Sequence, residues 1–162
     1  MTDIFHITHV RNLESIIQCG GLYCDRVRAD RQLASVGIAH NHIKERRARR
    51  HVPTCQLVAA AGLDFTFTEG HAELAYSSFF EDLVDLDKVD WRIMRSRWWN
   101  DTVEDMDRKR RRQAEFLVHD FFPWELVTRI GVINDDIAEQ VNEVLQGPAH
   151  RPTVVVERTW YY

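Results

Sequence analysis

The period of apolar and polar positions changes repeatedly along the chain, and each change marks an element. Ile4–Thr8 alternates like a short strand. Asn12 is placed to cap a helix on which Leu13, Ile16 and Ile17 recur at helical spacing, and Gly20-Gly21 stops that helix. Residues 22–39 carry no clear period and read as loop. His40–Arg50 is compatible with a basic helix that Val52-Pro53 ends, and Leu57–Ala61 reads as a short apolar helix ended by Gly62. Phe65–Thr68 alternates like a strand. Leu74, Ala75, Phe79 and Leu83 have the spacing of an amphipathic helix over Ala72–Leu83. Asp90 can cap a helix displaying Trp91, Met94 and Trp98, and Asn100–Asp107 is polar and loop-like. Gln113–His119 and Arg129–Ile133 read as strands. Asp135 caps a helix over Ile137–Leu145, ended by Gly147-Pro148, and Thr153–Glu157 is a last strand. The pattern is α+β, with an interrupted sheet rather than regular βαβ alternation.

The 162 residues suffice for one domain with its own core, and 44% hydrophobic with 28% charged residues is ordinary for a globular chain. No apolar run approaches the roughly 20 residues of a membrane helix. The start MTDIFHIT lacks the basic-then-apolar layout of a signal peptide. Cys19, Cys24 and Cys55 cannot all pair and match no zinc spacing, so reduced thiols in a cytoplasm are expected.

Charge is unevenly laid out. Residues 1–54 carry +4, residues 55–107 carry -8 and residues 108–162 are neutral, giving the net -4. The positive charge concentrates in Arg46, Arg47, Arg49 and Arg50 and in the unbroken basic run Arg108 to Arg112. Only Lys44, Lys88 and Lys109 among the 21 basic residues are lysine. Arginine is the better bidentate phosphate ligand and stacks on bases. A nucleic-acid surface and a solvated basic face are both compatible with this layout.

Neither Gly-rich phosphate-loop spacing is present, and there is no nucleophile elbow. His40 with His42, and His6 with His9, lack carboxylate or thiol partners at ligand spacing, so no metal is expected. Strand parity places Gln113, Glu115, Leu117 and His119 on one face and Ala114, Phe116 and Val118 on the other. Glu115 is thereby embedded in an apolar strand, where a carboxylate is costly unless paired or used. Two readings stay open: an edge-strand carboxylate paired with a preceding arginine, or a carboxylate that stabilises a sugar cation as a glycosidic bond breaks.

Five stretches then resemble one family in order: IFHITHVRNLESIIQCGGL, IAHNHIKERR, AAGLDFTFTEGHA, DLDKVDWRIMRSRWWND with RKRRRQAEFLV, and FPWELVTRIGV with the terminal WYY. The chain resembles the DarT family, the DNA ADP-ribosyltransferase toxins of bacterial DarTG toxin–antitoxin systems. The resemblance implies an ADP-ribosyltransferase-like split, mostly antiparallel sheet with flanking helices, forming a clamp around NAD. It implies NAD as co-substrate and transfer of ADP-ribose to a base of single-stranded DNA, most simply thymidine, with a macrodomain antitoxin (DarG-like) as partner. Glu115 matches the catalytic glutamate. Arg47 matches an arginine that contacts NAD and assists deprotonation of the base. His71 matches a histidine opening the substrate loop, and His6, Ile7, Thr8 and Asn12 match NAD-holding positions.

An anionic Glu115 would stabilise the oxocarbenium-like ribose where its charge develops. Arg47 can neutralise pyrophosphate, but a guanidinium is a poor proton acceptor without a special environment. Residues 71–115 would present DNA, with Trp98 and Trp99 stacking on bases and Arg46, Arg50, Arg108 and Arg110 meeting phosphates. One departure stands out. After Val52-Pro53 the family has further strands, tyrosine-bearing and near the NAD site, whereas this chain runs Thr54-Cys55-Gln56-Leu57 into a later helix. The chain is expected to be one ADP-ribosyltransferase domain lacking a family segment near residues 53–57. A deletion, a lineage with a reduced clamp and a chain broken at this point are all open. A catalytically impaired member that binds nucleic acid or a protein, and an RNA-directed enzyme of the same fold, are the alternatives.

Overall fold

The computed structural model describes Ile4, His6, residues 8–33 and residues 55–158. The strand expected over Ile4–Thr8, the basic helix expected over His40–Arg50 and the break expected after Pro53 fall partly or wholly outside these residues.

After a 3₁₀ turn at Val10–Asn12, helix α1 (Leu13–Gln18) lays Leu13 into the core. Gly20 has φ 74° and Gly21 has φ 155°, and the chain turns directly into β1 (Gly21–Tyr23). Gly21 is required twice over, because a Cβ there would also lie 2.2 Å from the Phe122 carbonyl oxygen. Residues expected as loop instead form β1 and α2 (Asp25–Asp30), a helix whose only apolar residues, Val27 and Ala29, are too few for periodicity to detect. Helix α3 (Cys55–Ala60) buries Cys55 and Val58.

Three small sheets follow among the described residues. β1 pairs antiparallel with β5 (Phe121–Pro123). A central sheet has the order β3–β2–β4 and is antiparallel, with β2 (Phe65–Thr68), β3 (Phe79–Phe80) and β4 (Phe116–Val118). β6 (Arg129–Val132) and β7 (Thr153–Val156) pair in parallel, as a strand–helix–strand crossover through α6 (Asp135–Val144) requires. The α+β architecture with divided, mostly antiparallel sheets is the expected one. Asn134, rather than Asp135, caps α6: its side chain accepts from the Ile137 N–H at 3.0 Å. Either residue type can cap, and chain direction chose the earlier one.

The amphipathic helix expected over Ala72–Leu83 does not form. The chain turns through residues 72–77, extends as β3 and enters a 3₁₀ segment at Leu83–Lys88. Local polar bonds outcompete the helix. The Ser77 hydroxyl donates to the His71 carbonyl at 2.7 Å, and the Ser78 N–H donates to Glu69 at 2.9 Å. Asp90 does cap the single-turn helix α4 (Trp91–Met94), accepting from the Ile93 N–H at 3.0 Å. The main core gathers Leu13, Val58, Val118, Phe122, Trp124, Val132, Val141 and Leu145, so α1, α3, β4, β5 and the β6–α6–β7 unit share one apolar centre.

Candidate active site

The central sheet has one aromatic and one polar face. Phe65 and Phe116 stack at 5.0 Å between centroids, and Phe67 stacks on Phe80 at 5.3 Å. Register places Phe67 opposite Phe116 and Thr66 opposite Leu117, so continuing the ladder sets Thr68 opposite Glu115. Thr66, Thr68, Glu115 and Leu117 therefore share the other face. At its far end the Thr66 hydroxyl lies 3.0 Å from Nε2 of His119.

Glu115 occupies the last ladder position before β4. Its carbonyl accepts the Thr68 N–H at 2.9 Å, and its own N–H donates to the Thr68 hydroxyl at 3.0 Å. That hydroxyl donates onward to the Gly70 carbonyl at 2.5 Å. A fully buried threonine thus ties the glutamate's backbone to the turn leaving β2. The Glu115 side chain is 3% exposed. Its Oε1 is 3.4 Å from the Ala72 nitrogen and 3.9 Å from His71 Nδ1. The Glu73 N–H donates to that same Nδ1 at 3.2 Å, which makes Nδ1 an acceptor and puts the ring proton on Nε2. His71 therefore borders the carboxylate without hydrogen-bonding it through Nδ1. A carboxylate oxygen sheltered from water in this way is placed to stabilise positive charge on a sugar.

The basic run forms helix α5 (Arg108–Arg112), and two of its five cations, Arg110 and Arg111, pair with nearby carboxylates. Arg110 donates from Nε and Nη2 to the two oxygens of Asp107 at 2.7 and 2.8 Å, and from Nη1 to Glu69 at 2.9 Å. Arg111 binds Asp105 at 2.6 Å and also pairs with Asp90. Its hydrogen bonds to Asp107 first, then to Glu69, strengthen proton retention on Arg110 against the opposing effect of burial. In return the Arg110 hydrogen bond holds the Asp107 carboxyl below the usual range. Arg108 donates to the Trp98 carbonyl at 2.7 Å.

The expected site residues thus separate into groups. Glu115 and His71 come together. Asn12 donates to the Thr8 hydroxyl at 3.1 Å, keeping those two side chains adjacent. His6 is half-buried, while Ile7, Arg46, Arg47 and Arg50 lie outside the described residues. Trp98 is 75% exposed and Trp99 is partly exposed, which leaves the Trp98 ring open to stack. Arg110, expected to meet phosphate, is turned inward onto Asp107 and Glu69. Thr68, Glu69, Ala72 and Asp107 were not anticipated from sequence. The one available signal was Thr66 and Thr68 alternating on the same face as Glu115. No group of three or more metal-ligating side chains occurs among the described residues.

The divided sheet and the buried glutamate beneath a turn are the plan of an ADP-ribosyltransferase. The family model described as "ssDNA thymidine ADP-ribosyltransferase, DarT" matches residues 5–58 and 53–162, and the chain belongs to the DarT family. A DNA ADP-ribosyl transferase of Thermus aquaticus is 35% identical over 207 aligned positions, covering 99% of this chain and 89% of that protein. DarT of Thermus sp. 2.9, solved in complex with ADP-ribosylated single-stranded DNA, superposes with a TM-score of 0.87 at 28% identity, covering 99% of this chain and 96% of the other. The same protein in complex with NAD+ gives 0.79 at 28% identity, covering 99% and 98%.

Proposed function

We infer that this protein transfers ADP-ribose from NAD to a thymidine base of single-stranded DNA and releases nicotinamide. The observation that carries the reading is Glu115: a carboxylate almost wholly shielded from water, fixed by Thr68 and facing Ala72 and His71, on the scaffold of a family whose members act on DNA. The bond between ribose C1′ and the nicotinamide nitrogen breaks, and nicotinamide leaves with the bonding electrons. Glu115 stabilises the ribose cation through that step. A nucleophilic atom of the base then bonds to C1′ and loses its proton, a loss Arg47 assists by polarising the base. His6, Ile7, Thr8 and Asn12 hold NAD. His71 begins the loop that brings the target base to Glu115. Trp98 and Trp99 stack on unpaired bases, and Arg46, Arg50 and Arg108 contact phosphates.

The reaction is a glycosyl transfer, and a nucleotidyl transfer only in the sense that a nucleotide unit moves. The partner is a macrodomain antitoxin (DarG-like), the setting a bacterial toxin–antitoxin pair, and the compartment the cytoplasm. No helix among the described residues is long and apolar enough to cross a membrane. The domain is single and lacks a family segment near residues 53–57. That reading is supported by the family match falling in two stretches and by an alignment of 207 positions against a chain of 162 residues.

The same observation favours a second reading, a catalytically impaired member that binds single strands without modifying them. An RNA-directed enzyme is the third. Incubating the protein with labelled NAD and matched oligonucleotides separates them. Label on thymidine-containing DNA, absent with thymidine-free DNA and with Glu115→Gln, supports the transferase. Label on RNA alone supports the third reading, and DNA binding without label supports the second.

A further inference from the structure

The loop facing Glu115, residues 69–78, is tied to one side chain. Arg110 is 13% exposed although it lies in the most basic run of the chain. Nη1 reaches Glu69 at 2.9 Å, and Nη1 is 3.5 Å from the Ser77 hydroxyl. The guanidinium covers the Tyr76 ring at 5.4 Å from its centroid. The Arg110 carbonyl accepts the His71 N–H at 3.1 Å. Gly70 lies against the side chain so closely that a Cβ there would sit 2.2 Å from Nη1 and 3.1 Å from Cγ. One residue thus contacts Glu69, Gly70, His71, Tyr76 and Ser77, and five residues later the same backbone supplies Glu115. The donors a phosphate would need face Asp107 and Glu69, so phosphate binding would have to break a pair that two carboxylates hold.

We propose that Arg110 is a positioning residue of the transfer reaction: it locks residues 69–77 over Glu115 through Glu69 and Asp107, and it is not a DNA phosphate ligand. This rests on the reading of Glu115 as the reactive carboxylate. Arg110→Met keeps the stem and removes the fork. Arg110→Lys keeps the charge but cannot span Asp107 and Glu69 together. Both lower kcat at saturating oligonucleotide and NAD by roughly 10- to 100-fold, the scale of an ångström's misplacement, while KM for NAD changes by less than about 3-fold. Glu69→Gln gives a comparable loss, and the double variant Arg110→Met/Glu69→Gln is no worse than the poorer single, as members of one unit behave. The slope of log affinity for single-stranded DNA against log salt is unchanged.

Three results overturn the proposal. One is a slope reduced by about 0.7, the share of one single-strand phosphate contact, with kcat intact. Another is additive losses in the double variant. The last is amide hydrogen exchange over residues 69–78 that matches the parent protein. Exchange needs no activity, so it decides whether Arg110 orders the loop even if the parent protein transfers nothing to DNA, an outcome that defeats the functional reading alone. Should Arg110→Met fail to fold, Arg110→Lys and Glu69→Gln carry the same measurements.

Discussion

The loop over Glu115, beside the β3–β2–β4 sheet, and the β6–α6–β7 unit are held by different forces. In the second, Val132, Val141 and Leu145 are buried against Trp124 and Val127, and what keeps the unit in place is apolar area removed from water. In the first, Thr68, Glu69, Asp107, Arg110 and Glu115 set the geometry through directional bonds. Non-directional packing tolerates small shifts, whereas a network of ion pairs has one productive arrangement. The reactive half is therefore the half that substitution, acid or a misplaced methyl group disturbs without unfolding the protein.

The largest separation of the two comes from Glu115→Gln. Removing the charge that meets the ribose cation lowers transfer by about 100-fold or more, with an unchanged melting midpoint in calorimetry. Parental activity in that variant would remove Glu115 from the chemistry. Leu145→Ala does the reverse. It opens a cavity where the side chain is 4% exposed and costs about 2–5 kcal/mol of stability in urea unfolding, while kcat per folded molecule stays within twofold. Asn134→Ala removes the α6 cap and costs about 1 kcal/mol by the same measurement.

The last and smallest effect is that of acid. The Asp107 carboxyl is held low by its hydrogen bond from Arg110 and by the charges of Arg110 and Arg111. A folded-state value below the unfolded one, near 4, means the contribution is complete at neutral pH. It is lost as pH falls through the folded value. Asp107 is 45% exposed, so solvent screening keeps the contribution modest. Tryptophan fluorescence from residues 91, 98 and 99 should change at a higher pH than the circular dichroism of the α6 unit. Coincident acid transitions would show that the two halves share one stability.

Much of this division was legible in the chain. Phe65–Thr68 alternates strictly and is the strand observed. Parity alone placed Glu115 and Leu117 on one face. The Ala72–Leu83 segment was misleading because Leu74, Ala75, Phe79 and Leu83 imitate a helix, while the deciding groups, Ser77 and Glu69, bond locally and carry no period. Within the run Arg108 to Arg112, the partners of Arg110 and Arg111 were hidden for a different reason. A run of charge shows its sign but not its partners, and Glu69 lies 41 residues from Arg110. The -8 of residues 55–107 was the available sign that these arginines had counter-charges within the fold. The segment gathers Asp90, Asp105 and Asp107 around Arg110 and Arg111.

Cys55 makes the core of this protein a clock. It is 2% exposed at the start of α3, and burial pushes its thiol up to about 11, so at neutral pH it is both covered and protonated. An alkylating reagent reaches it only during an opening of the apolar centre that Val58, Phe122 and Leu145 share with it. Its labelling half-life therefore counts excursions of the packed half, whatever the state of the loop over Glu115.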